Sequence, residues 1–115
     1  MQFIHDGTFH TVARITGPAH NILSLRLVAN GEQAVPVVEQ LKTVHNPSLD
    51  SQSVVTEAHA GVNEANLRFG SSYRIAALKY ASDDTPPESV YRMLAFSLVE
   101  RLAKGVPFVE VRRIP

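Results

Sequence analysis

The sequence predicts an α+β domain: a single mixed β-sheet of four to five strands, opened by antiparallel hairpins, with two helices packed on one face. Three observations carry this. Apolar and polar residues alternate over 8–16 and again over 22–29, the period of two of half-buried strands. Two later stretches, 51–69 and 86–104, place apolar residues at helical spacing and stop at Gly70 and Gly105, where a left-handed residue closes a helix. Strand-like runs at 73–80 and 106–114 flank the second helix, giving the order β-β-(β)-α-β-α-β. With 115 residues, 44% of them hydrophobic and 19% charged, the chain fits one domain, 1–115, large enough to bury a core.

In the first strand Phe9, Thr11, Ala13 and Ile15 face one way and His10, Val12 and Arg14 the other. Gly17-Pro18 breaks the run, and the short connection through His20-Asn21 makes the next strand antiparallel to the first. Asn30-Gly31 is a two-residue hairpin signal, since both turn positions favour positive φ. A third strand is therefore expected over 33–42, confined to an edge by Pro36 and preferred to a short helix over 36–43.

The first helix begins at Ser51 or Ser53 and buries Val54, Ala58, Val62, Ala65 and Phe69, with Glu64 and Arg68 as an i,i+4 pair. Thr85 and Glu88 read as a capping box for the second helix, with Pro86 in its first position. Its buried stripe is Tyr91, Leu94, Ala95, Leu98, Val99 and Leu102, which leaves Met93 and Phe96 among polar residues. Strand, helix and strand over 73–114 then form a parallel crossover. The sets assigned to the sheet face without helices are His10, Val12, Arg14; Ser24, Arg26, Val28; and Phe108, Glu110, Arg112, with Val109 and Val111 against the helices.

Eleven basic and eleven acidic residues give zero net charge, which argues against nucleic-acid binding; its strongest candidates would be Arg14, Arg26 and Arg112. The absence of cysteine excludes disulfides, thiolate metal sites and a Cys nucleophile, and suits a reducing, cytoplasmic setting. The N-terminal residues lack the apolar run of a signal peptide, and no stretch is long enough to span a membrane. No phosphate loop, nucleophile elbow or zinc-protease signature is present, so no cofactor is expected. His5, His10, His20, His45 and His59 show no pairwise spacing that aims two imidazoles at one ion, so no metal site is expected.

Candidate catalytic residues reduce to His59, with Asn63 and Asn66 on its helical flank, and His20 in the turn before the second strand. Glu57 leaves the helix nearly opposite His59 and cannot serve as its acid–base partner. Asp83 and Asp84 are explained as favourable charges at a helix start. The leading functional expectation is a non-catalytic cytosolic binding module that homodimerises or engages a protein partner. Its surfaces would include Phe96, Met93, His10, Arg14, Arg26 and Arg112. The alternative is a small enzyme or small-molecule binder using His59, Asn63 and His20.

Overall fold

The computed structural model describes residues 1–28, 37–42 and 49–111. Strand β1 (Gln2–His5) is followed by β2 (His10–Thr16) and β3 (Ala19–Val28), then β4 (Val37–Lys42), α1 (Ser51–Phe69), β5 (Arg74–Ala81), α2 (Val90–Ala103) and β6 (Val109–Glu110). The six strands form one mixed sheet in the order β4-β5-β3-β2-β1-β6, with both helices packed on it, so the α+β class stands. The extra strand is β1, four residues long and too short to declare a period in the sequence.

β2 and β3 form the expected antiparallel hairpin, closed by Gly17-Pro18 between the paired Thr16 and Ala19. Gly17 takes φ 60 at the first turn position, which a residue with a side chain resists. The Asn30-Gly31 turn lies outside the described residues. β4 is an edge strand, as expected, but it runs parallel to β5, and β5 separates it from β3. The parallel crossover is therefore β4–α1–β5. β5 is antiparallel to β3, whereas β6 is parallel to β1, so β5 and β6 point in opposite directions with three strands between them. The expected crossover over 73–114 is thus wrong, and helix length explains why. Fourteen residues reach about 21 Å. Four strand spacings are about 19 Å. α2 crosses the sheet from Tyr91 against Tyr80 on β5 to Arg101 over Phe3 on β1.

The inner and outer faces also correct the sequence reading. Val12 pairs with Leu23 and His10 with Leu25; Val12, Leu23 and Leu25 are fully buried under the helices. His10 and Arg14 therefore share the helix-side face with Val12, and Thr11, opposite Ser24, lies outside. On β6 the assignment also inverts. Phe108 packs on Phe3 and His10, while Val109 and Val111 are exposed. Alternation establishes a period of two; the neighbouring strand's leucines decide which set faces the core. On β3 the expected outer set holds in part: Arg26 is exposed, Ser24 shares its side but is buried, and Val28, past the register shift after Arg26, is buried.

Asp50 caps α1, its Oδ2 accepting from the Ser53 backbone N–H at 3.0 Å and hydroxyl at 2.7 Å. Gly70 closes it at φ 68. The capping box expected for α2 does not form. Thr85 and Glu88 accept instead from the backbone N–H groups of His20 and Asp50, and the helix starts at Val90. Pro87 disfavours helical geometry at Pro86, so the helix cannot begin there. Arg92, not Arg68, takes the Glu64 carboxylate, at 2.7 Å. The core stripes are those expected, with Phe69 and Leu102 half-buried at their ends.

Candidate functional site

β3 begins before β5 has an end to offer it. β5 stops at Ala81, and a turn follows in which the Asp84 N–H donates to the Ala81 carbonyl at 3.0 Å. Beyond that point the backbone of His20, Asn21 and Ile22 would lose its ladder. The segment after the turn replaces it. Thr85 N–H donates to the His20 carbonyl at 3.0 Å, and its hydroxyl oxygen accepts from the His20 N–H at 3.0 Å. Ile22 N–H donates to Asp84 Oδ2 at 2.8 Å, so a carboxylate stands where a strand carbonyl would. Tyr91, in the first turn of α2, donates its hydroxyl to the same oxygen at 2.7 Å. The Asn21 side-chain amide donates to the Thr85 carbonyl at 2.8 Å and to the Tyr91 oxygen at 3.5 Å.

Asp84 is 1% exposed, and its second oxygen, Oδ1, has no hydrogen-bond partner. It faces His20 Nε2 at 3.6 Å. Asp83 completes a cluster in which one donor atom from each of His20, Asp83 and Asp84 lies within 4.8 Å of the others. Burial pushes the Asp84 carboxyl above its ordinary range; the Ile22 N–H, the Tyr91 hydroxyl and His20 pull it back, and Asp83 adds to the rise. Burial and the adjacent carboxylate raise the Tyr91 phenol, against the Asn21 bond, so the hydroxyl remains a donor.

Among the sequence candidates, His20 stands in a polar cluster, in company other than expected. Its neighbours are Asp83, Asp84 and Thr85 rather than His59 or Asn63. His59 is half-buried on α1 and Asn63 exposed beside it. Asn66, on the same flank, is structural: it bonds Ser71 and both backbone groups of Tyr73, fixing the connection from α1 to β5. Asp84 was hidden in the sequence by its apparent role at a helix start. The signal that could have exposed it is Thr85-Pro86-Pro87, which bars a helix from starting directly after it.

Two other groupings lie on the helix side. At the β1–β6 edge, His5 and His10 stack with ring centroids 4.1 Å apart, Phe108 meets His10 edge-on at 4.7 Å, and Glu110 accepts from His5 Nδ1 at 3.1 Å. Burial first, then the neighbouring His5, holds His10 below its usual imidazole range, with Glu110 and Asp6 opposing. Its Nδ1 is buried with no hydrogen-bond partner. Between the helices, Glu64, Arg68, Ser89, Arg92, Met93 and Phe96 line an open groove of about 360 Å³. Met93 is 45% exposed there; Phe96 is half-buried, its ring 5.7 Å from Phe69. Phe96 is therefore covered from α1, because the helix pair buries a wider arc than one helix on a sheet would. Arg26 is exposed on the outer sheet face, and Arg112 lies outside the described residues.

Compared with known proteins, the chain matches no family model, no curated sequence and no solved structure. Among the described residues, no helix is long and apolar enough to cross a membrane.

Proposed function

We propose that the chain is a non-catalytic interaction module of the cytosol that acts as a homodimer through the helix-free face of its sheet. The observation that carries this is the one-sided architecture: both helices pack together and over the inner face, and among the described residues no helix lies on the other side of the six strands. The central row of that outer face is Thr11, Ser24 and Lys79, with the Lys79 ammonium laid 4.2 Å from the ring of the buried Phe9, and Ala13 and Ile22 in the next row. With Lys79 held flat over Phe9 and small side chains at Thr11, Ser24 and Ala13, the surface permits close approach of a second sheet. Apolar residues continue to its margins, where Ile15 is 73% exposed and Val109 65%.

Strand spacing and length give the face a size of roughly 25 by 20 Å, or about 500 Å² per copy. Two copies would bury about 1,000 Å², the lower bound for a specific interface. Zero net charge leaves little repulsion between copies, and a twofold dimer is the commonest closed assembly. The absence of cysteine suits a reducing compartment.

Sedimentation equilibrium at tens of micromolar tests the reading. The expected result is a dimer mass that reverts to monomer in Ala13→Arg, which sets a charge beside the central row of the face. Arg26→Glu is expected to weaken it. A monomer mass for the wild type across the range overturns the dimer, and a dimer indifferent to both substitutions overturns the choice of face.

A further inference from the structure

We propose that His20, Asp83 and Asp84 form a site for one divalent cation of the zinc class, with the remaining coordination position open to solvent. The site is separate from the outer sheet face and does not depend on self-association.

The distances come first. At 3.6 Å, His20 Nε2 and Asp84 Oδ1 are too far apart for a good hydrogen bond. Two ligand atoms each about 2.1 Å from a tetrahedral ion stand about 3.4 Å apart. The observed gap is the width an ion would span. Asp83 brings a third donor within 4.8 Å of both. One imidazole and two carboxylates form a nitrogen–oxygen donor set, which first-row divalent ions prefer over calcium or magnesium.

Burial and support come next. Asp84 is 1% exposed, and its Oδ1 is an unpartnered acceptor aimed into the cluster. A buried carboxylate oxygen with no donor is costly, and a cation would satisfy it. Its other oxygen is held by the Ile22 N–H and the Tyr91 hydroxyl, which fix the plane of the carboxylate. His20 is tied at both its N–H and its carbonyl to Thr85. Bonds such as those to the second Asp84 oxygen orient metal ligands, and the backbone ties at His20 fix where its side chain starts. The His20 side chain, 54% exposed, gives the ion a way in from solvent.

Titration calorimetry of the full chain with Zn²⁺ alone tests the site. The expected result is one Zn²⁺ per chain, weakened at least tenfold in His20→Ala. That residue is exposed, so its replacement leaves the fold intact, as circular dichroism would show. Asp83→Asn is expected to weaken binding as well. His5→Ala, which breaks the histidine–carboxylate pair with Glu110, is expected to bind like the wild type. Absence of stoichiometric binding, or equal binding by the wild type and His20→Ala, overturns the proposal. So does loss of binding in His5→Ala with retention in His20→Ala.

Discussion

At His10 two requirements conflict. The ring fills space between His5 and Phe108, where an aromatic side chain packs well, yet its proton would enter a desolvated position beside another imidazole. The folded protein therefore binds that proton less readily than the unfolded chain, whose histidine titrates near the ordinary 6.5. As pH falls through that value the unfolded state gains a proton that the folded state still refuses. Stability is consequently lost as pH drops below about 6.5, until the depressed folded value is reached. Asp6, Glu110 and His5 face the ring and set how far the depression goes. Urea midpoints compared between about pH 7.5 and about pH 5.5 should fall in the wild type and fall less in His10→Phe, which keeps the packing and removes the titration. Equal falls in both proteins would show that His10 is not the source.

Among the elements, what was legible and what was not divide along physical lines. Period and termination are local, so β2, β3, both helical stripes and the glycine stops at 70 and 105 could be read directly. Parity, strand order and crossover hand over to contacts distant in sequence. Val12 faces inward because Leu23 lies beside it, and β4 joins β5 rather than β3 because α1 returns the chain along its far edge. The candidate site followed the same division. His20 stood out as a polar turn residue, whereas Asp84 acquires its role only when β5 ends short of β3. Gly61 was silent for a related reason, since its importance belongs to the other helix. A Cβ built there falls inside contact distance of the Arg92 carbonyl oxygen of α2. Alanine would favour the isolated helix by about 1 kcal/mol. Overpacking against a backbone that cannot rotate aside costs about 1–3 kcal/mol, or more. Gly61→Ala should therefore lower the denaturation midpoint with little change in slope. A raised midpoint would mean that the helices separate at small cost and that their close crossing is not a source of stability.

At the scale of the whole molecule the net charge is zero, and the placement of the basic groups decides whether that neutrality is also local. Eleven basic residues could still build a local basic surface within a neutral total. The structure instead engages several of them with acids or rings. Arg92 bonds Glu64 and Lys104 reaches Glu100, while Lys79 lies over Phe9 and within 3.8 Å of Glu39. Arg101 covers Phe3 from the helix side. Arg14 and Arg26 point to opposite faces, because Arg14 shares the side of Val12 and Arg26 that of Ser24. They cannot follow one phosphate backbone together. Nucleic-acid binding driven by phosphate contacts releases counterions and weakens steeply with salt. The expected result is that fluorescence anisotropy with labelled single-stranded RNA and duplex DNA shows no appreciable association at physiological salt. Lowering the salt should produce only weak binding, without the steep slope of a multi-phosphate site. Micromolar affinity at physiological salt that falls steadily as salt is added would establish a basic surface that these ion pairs do not neutralise.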